Sequence, residues 1–415
     1  ISQKHPVLLD LMVNHISAKS VYFQDFIENG RDSKYADLFI TLDKIWPDGK
    51  PVKEDIDKIF LRRQEPFSEF LIKKTGKTEK VWTTFGKTNP SEQIDLDIHS
   101  VGAKELISDF MKNFSKNGVS MVRLDAVGYV IKKLGTTCFF VEPDIFMFLE
   151  WISGLAKSLN IDLLPEIHGD YQTQFKLAEK GYWIYDFILP YLILDAFINK
   201  TSEKLVNYLR IRPHNQFTML DCHDGIPVKP DLNGIYTKED AQKIVNVCQE
   251  RGANFSRVLS PEHIDPGGFD IHQIRGTIYS LLGADDDVYL SARALQFFTP
   301  GIPQVYYVGL LAGENDADLA AKTGEGRDIN RHNFTMEEIE KNLKRPVVRK
   351  LIKLIQFRNH HPAFHGEFSV KPVSDQELSL TWTNKNHHAS LYVDLMRGCS
   401  TITYSDISGK EVVFN

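Results

Sequence analysis

The chain has 415 residues, 42% hydrophobic and 25% charged, and a formal net charge of -6. That composition describes a folded globular protein with a large core and appended parts, and it excludes a disordered chain. The acidic balance excludes a broad basic footprint for nucleic acid, so an anionic ligand has to be held by a local cluster of cations.

In chain order, the first element is a buried-strand pattern from Val7 to Val13, ending in Asn14 and His15. Residues 16–95 are polar and irregular, with two tryptophans and many lysines, and read as an inserted domain of loops and short strands. An α/β rhythm then begins. Leu106, Phe110 and Phe114 recur at helical spacing, Gly118 supplies the stop, and a strand runs from Val119 to Val122. Further parallel-strand candidates are 161–165, 184–189, 217–221 and 303–307, spaced for crossover helices. Residues 227–283 interrupt the rhythm with Pro227, Pro230, Pro266 and a glycine pair at 267 and 268, which marks a second insertion or lid. Pro346 opens a helix carried by Val347, Leu351, Leu354, Ile355 and Arg358. From about 363 to 415 the period becomes two, with strands expected at 378–382, 391–395, 402–404 and 412–414, an antiparallel β domain. The main α/β domain is then residues 1–15, 96–226 and 284–362.

Four scattered cysteines (Cys138, Cys222, Cys248 and Cys399) form neither a CxxC pair nor a zinc set, and read as free thiols of a reducing compartment. No signal peptide is expected at the start. The most apolar stretch, 184–198, is broken by Asp186, Pro190 and Asp195, so a cytoplasmic protein without a membrane span is expected.

Chemistry concentrates at strand ends. Arg123 and Asp125, two apart, share one face of their strand. Glu166 follows the next strand, and Asp224 follows His223 after a later one. Carboxylates held close in a cleft shift one another's pKa, which separates an ionised nucleophile from a protonated acid. Glycoside cleavage needs that pairing, because an oxocarbenium-like transition state wants an anion on one side and a proton donor on the other.

The segments Asp10-Leu-Met-Val-Asn-His15, Arg123-Leu-Asp125, Glu166 and His223-Asp224 resemble the four ordered signatures of the alpha-amylase superfamily. Residues 123–129, 223–226, 304–309 and 326–332 resemble the sucrose phosphorylase group within it. The resemblance implies a TIM (β/α)8-type barrel, with the chain opening on what resembles the third strand and the first two βα units absent from this sequence. It implies Asp125 as a nucleophile forming a β-glucosyl ester, Glu166 as acid and then base, and Asp224 as a holder of sugar hydroxyls. His15, Arg123, His223 and Arg327 would line the glucose subsite, and Tyr129 would shape it. The carboxyl oxygens of Asp125 and Glu166 are expected about 5–5.5 Å apart.

Within that resemblance, Arg62 and His272 stand where sucrose-specific relatives carry proline and tyrosine. A sugar phosphate brings about two negative charges, well met by a guanidinium and an imidazole. The expected substrate is therefore sucrose 6'-phosphate, cleaved by inorganic phosphate to α-glucose 1-phosphate and fructose 6-phosphate. Arg62 would meet the sugar phosphate and Arg63 the inorganic phosphate. Asp270, Gln273 and His168 would contact the fructosyl unit. The alternatives are phosphorolysis of sucrose or of a glycerate glucoside, a hydrolase, and a non-catalytic amylase-like scaffold. Neither a metal nor a resident cofactor is expected, and the oligomeric state is left open. Arg275 departs from the small or amide residue usual in the group.

Overall fold

Residues 2, 4–86, 88–232, 234–259, 263–264, 267–406 and 408–414 are described by the computed structural model. Pro266, expected to break the rhythm, lies outside them. The chain divides into two units, Ile1–Ile167 with Val258–Gly268, and His168–Arg257 with Phe269–Asn415.

In the first unit, β1 (Leu8–Met12) and β2 (His15–Ser17) are followed by the hairpin of β3 (Phe67–Ile72) and β4 (Lys77–Trp82). Then come β5 (Gln93–Asp95), β6 (Met121–Asp125) and β7 (Asp162–Pro165). Three of them form a parallel sheet in the order β1-β6-β7, with Met12 opposite Asp125 and Leu124 opposite Pro165. Leu11, Val122, Leu124 and Leu164 are buried within it, as near-continuous apolar runs require in a parallel sheet. The helix Val101–Lys116 joins β5 to β6. Ser100 caps it by accepting from the Ala103 amide, and Leu106, Ile107 and Met111 face inward. Gly118, at φ 74°, ends it in the left-handed region as the pattern predicted.

The insertion is more regular than its polarity suggested. A helix, Val21–Asn29, is capped by Ser20, and its Phe23 meets Phe70 and Phe39 at ring centroids 4.8 and 5.0 Å away. This aromatic core, rather than the polar surface pattern, organises the segment. Two antiparallel pairs, β2 with β5 and β3 with β4, complete it.

In the second unit, β8 (Ile184–Asp186), β9 (Gln216–Thr218), β10 (Ile226–Pro227), β11 (Asn254–Arg257), β12 (Ile271–Arg275) and β13 (Ile302–Pro303) precede five C-terminal strands. These are β14 (Glu367–Ser374), β15 (Glu377–Asn384), β16 (His387–Asp394), β17 (Cys399–Ser405) and β18 (Glu411–Val413). The sheets are parallel β13-β9-β8, antiparallel β10-β12-β11, and antiparallel β14 through β18 in sequence order.

Three expected strands are shorter than read. The 184–189 run ends at Asp186, and a helix, Leu189–Asn199, follows, with every residue from Leu189 to Phe197 buried. A helix that is apolar on all sides looks like a buried strand in sequence. The 217–221 run ends at Thr218 because Asp221 turns into an ion pair with Arg293. Around 303–307 only Ile302–Pro303 pairs, since proline donates nothing to a ladder, and the chain enters a short helix at Tyr307. The C-terminal sheet gains β14, which was not read; it carries Pro372 and sits at the edge, where proline is tolerated.

Candidate active site

The parallel sheet of the first unit brings two of the predicted acids together. Asp125 ends β6, and Glu166 follows directly on β7, so both leave the same C-terminal edge. Arg123 lies between them with a side chain only 7% exposed. Its Nη1 meets Asp125 at 2.8 Å and Asp10 at 3.1 Å, while Nη2 meets Glu166 at 2.9 Å. One rigid guanidinium therefore spaces both carboxylates. The second Glu166 oxygen accepts the Ala126 amide at 3.0 Å. Ala126 itself is held at φ 50°, a left-handed conformation costing about 1–2 kcal/mol for a residue with a Cβ. Strain of that kind beside a proposed nucleophile suits a functional turn.

Burial raises the Asp125 pKa above its ordinary value, and the Glu166 charge adds to it; Arg123 and His15 oppose both. His15 follows β1 and is almost fully buried. Its pKa is lowered, first by burial and then by Lys132, against the upward pull of Asp95, Asp125 and Glu166. The imidazole is thus held neutral beside the acids. Its ring also meets Phe85 at 5.5 Å, and Phe85 meets Tyr129 edge-on at 5.0 Å.

Arg62 and Arg63 are adjacent in sequence but differ in surroundings. The Arg63 guanidinium is buried, with Nη1 donating to Ser68 at 2.5 Å and to Thr83, and Nη2 donating to the Thr88 carbonyl at 2.9 Å. These bonds tie it to the β3–β4 hairpin, so the phosphate role expected of it would require displacing or sharing them. Arg62 is half-buried, with its guanidinium carbon 5.9 Å from the Phe60 ring centre. Among the described residues it makes no ion pair. Enclosure raises the Tyr129 pKa; the positive charge of Arg62 lowers it and the negative charge of Glu166 raises it. Arg62 therefore lies within electrostatic reach of the same tyrosine as the acid. Residues 59–63 also line a small cavity with Pro66, Trp82, Thr84 and Tyr129.

In the second unit Asp224 follows β9 and is gripped by two arginines, with a histidine beside it. Arg327 donates to it at 3.1 Å, Arg331 lies 3.5 Å away, and His223 lies 3.8 Å away. Arg331 also donates to the His223 carbonyl at 2.8 Å, and Asn330 donates to the carbonyls of Cys222 at 2.9 Å and Asp224 at 3.0 Å. Neither Arg331 nor Asn330 was singled out from sequence, although both lie inside the 326–332 segment. Below them, Arg293 anchors the start of the loop through Asp221 at 2.6 Å, completely buried.

The lid residues form β12 and not a loose loop. His272 and Gln273 are buried within it, and Gln273 pairs with Ser256 on one side and Pro227 on the other. Asp270, just before the strand, is bonded to Arg257 at 2.5 Å. Gly225 explains how β12 reaches Asp224: a Cβ there would lie 2.6 Å from the Ile274 carbonyl and 3.0 Å from both Gln273 and Arg275. Only glycine permits that approach. Arg275, unexplained by sequence, packs there and against Gly326, where a Cβ would stand 2.9 Å from its Nη1. His168 stacks on Phe187, ring centres 4.1 Å apart.

No family model matches the chain. It is 56% identical over 414 residues to sucrose 6(F)-phosphate phosphorylase of Thermoanaerobacterium thermosaccharolyticum, covering 100% of this chain and 85% of that one. It is 40% identical over 409 residues to glucosylglycerol phosphorylase of Marinobacter adhaerens, covering 98% and 83%. It is also 40% identical over 410 residues to sucrose phosphorylase of Streptococcus mutans, covering 98% and 84%. The crystal structure of a sucrose 6F-phosphate phosphorylase from Thermoanaerobacter thermosaccharolyticum superposes with a TM-score of 0.98 at 56% identity, over 100% of this chain and 84% of that one. An alpha-amylase from H. orenii superposes at 0.60 with 16% identity over 94% and 70%, a likeness of fold alone. The fold is accordingly the TIM-type barrel of the alpha-amylases, with a C-terminal antiparallel β domain. The chain belongs to the sucrose phosphorylase family.

Proposed function

We propose that the protein is a retaining disaccharide phosphorylase, a glycosyltransferase that cleaves sucrose 6'-phosphate with inorganic phosphate. The products are α-glucose 1-phosphate and fructose 6-phosphate. The observation that carries the acceptor is Arg62, a half-buried guanidinium that makes no ion pair among the described residues and whose charge reaches Tyr129. A cation left unpaired inside a protein is costly unless an anionic ligand completes it. The whole-chain likeness to a sucrose 6(F)-phosphate phosphorylase supports the same reading.

In the first step the Asp125 carboxylate attacks the anomeric carbon, and the glycosidic bond breaks as Glu166 gives its proton to the leaving fructosyl oxygen. In the second, the Glu166 carboxylate takes a proton from inorganic phosphate, whose oxygen displaces Asp125. Two inversions retain the α configuration. Arg123 holds both carboxylates in register, and the Ala126 amide fixes the Glu166 side chain. The neutral His15, Arg123, Tyr129, His223, Arg327 and Asp224 bind the glucosyl unit in this reading. His168, Asp270 and Gln273 bind the fructosyl unit, and His272 joins Arg62 at its phosphate. Inorganic phosphate is a co-substrate, and no resident cofactor or metal takes part.

Among the described residues no helix is long and apolar enough to cross a membrane. A cytoplasmic place suits the reading, since sugar phosphates and inorganic phosphate are at hand there and the four cysteines are free thiols. The test is a product assay comparing sucrose 6'-phosphate, sucrose, glucosylglycerol and glucosylglycerate, each with phosphate. Faster formation of glucose 1-phosphate from sucrose 6'-phosphate supports the proposal. A preference for any other donor, or glucose release at the same rate without phosphate, overturns it.

A further inference from the structure

The buried polar network behind His15 carries an inference that the catalytic roles do not contain. Lys132 follows the turn after β6, and its side chain is only 3% exposed. Its ammonium donates to the Asn14 carboxamide oxygen at 2.7 Å, meets Asp95 at 2.7 Å and also donates to the Tyr129 carbonyl. An ammonium has donors only, so it fixes which end of the Asn14 amide faces it. The opposite end, Nδ2, then faces Asp95 at 3.2 Å and His15 Nδ1 at 3.3 Å. Asp95 is held in turn by the Thr84 amide at 2.8 Å and the Thr84 hydroxyl at 2.5 Å.

The consequence concerns one hydrogen. Because Asn14 presents a donor to Nδ1, that nitrogen accepts, and a neutral ring must carry its hydrogen on Nε2. We propose that Lys132 is a positioning residue that, by locking the Asn14 carboxamide, holds His15 as the Nε2–H tautomer. His15 then offers a donor, never an acceptor, to a sugar oxygen. Charged groups surround the ring on every packed element: Asp95 on β5, Asp125 on β6, Glu166 after β7 and Lys132 itself. Burial keeps the ring neutral against the three acids, so tautomer choice, and not charge, decides what His15 does.

The binding role of His15 rests on the proposed function, but the tautomer does not, which keeps the two separable. The experiment is two-bond 1H–15N correlation on protein with labelled histidine, the His15 signals being those lost in His15→Asn. The native protein is expected to show an unprotonated Nδ1 and a protonated Nε2. The amide has two anchors, Lys132 on its oxygen and Asp95 on its nitrogen, so Lys132→Met should loosen it and removal of both should let it rotate and average the two ring nitrogens. Because that variant strands a buried Asp95 and risks misfolding, Lys132→Met/Asp95→Asn removes both charges together. In the folded variant kcat/KM should fall about tenfold, the worth of one misdirected hydrogen bond, and equally with phosphorylated and plain sucrose donors. A native protein carrying Nδ1–H, or a folded variant keeping a sharp Nε2–H pattern, overturns the proposal. A merely structural Lys132 would lower the melting temperature and leave the tautomer unchanged.

Discussion

Replacing Arg62 by alanine is the perturbation that separates acceptor recognition from catalysis. The side chain is half-buried beside Phe60, reaches Tyr129 electrostatically and serves no internal ion pair among the described residues, so its loss leaves no protein carboxylate stranded. A charge-assisted hydrogen bond to a phosphate contributes about 1.5–3 kcal/mol. At 1.36 kcal/mol per decade, that converts to a fall of about 10- to 160-fold in kcat/KM for sucrose 6'-phosphate. Sucrose lacks the phosphate and should lose less than about threefold. The assay is coupled detection of glucose 1-phosphate with each donor at saturating inorganic phosphate, with melting temperature recorded alongside. An equal loss on both donors would refute the assignment, because it would make Arg62 a general structural or catalytic group.

Arg63→Ala should behave in the opposite manner. Its three hydrogen bonds to Ser68, Thr83 and Thr88 predict about 2–3 kcal/mol of lost stability, read by chemical denaturation, with both donors affected alike. Asp231 supplies a pH test. Its carboxyl accepts the Tyr171 amide at 2.9 Å and is pushed up to about 7 by burial, with Asp170 and Asp186 adding to it. A carboxyl raised in the folded state favours folding below its ordinary pKa of 3.8, and that contribution is lost as pH rises through 7. Asp231→Asn should therefore stabilise the protein at pH 8 by up to about 4 kcal/mol and far less at pH 4, by chemical denaturation; equal effects at both would contradict the burial argument. The acid limb of kcat/KM for glucosyl transfer from α-glucosyl fluoride should lie above 3.8, since ionised Asp125 is the nucleophile and its pKa is raised. It should move to lower pH in Glu166→Gln, which removes the neighbouring negative charge.

The strand-end acids were legible because alternation puts Arg123 and Asp125 on one face and because Glu166 follows a short apolar run. Their spacing by a single guanidinium was not, since Asp10, Arg123 and Glu166 are brought together only by the register of β1, β6 and β7. The adjacent pair Arg62 and Arg63 was read from sequence as two phosphate ligands, one for the sugar phosphate and one for inorganic phosphate. Burial behind a hairpin distinguishes them, and hairpin packing leaves no local signal at 63. Lys132 was not singled out in the sequence; its neighbour Lys133 is exposed and reaches Asp144, while Lys132 turns inward. The apolar run after 184 has no period that separates a buried strand from a wholly buried helix, so the boundary at Asp186 was lost. Arg331 lay in a segment already recognised, but whether it or Arg327 points at Asp224 depends on the turn of a 3-10 helix.

The covalent step can be caught directly. Glu166→Gln charged with α-glucosyl fluoride, a donor whose leaving group needs no proton, should accumulate one glucosyl unit because the discharging base is gone. Acid quench and peptide mass analysis should place that unit on Asp125, and Asp125→Asn in the same background should take up none. A glucosyl unit on another residue, or none on a folded protein that still consumes the fluoride, would contradict the double-displacement account.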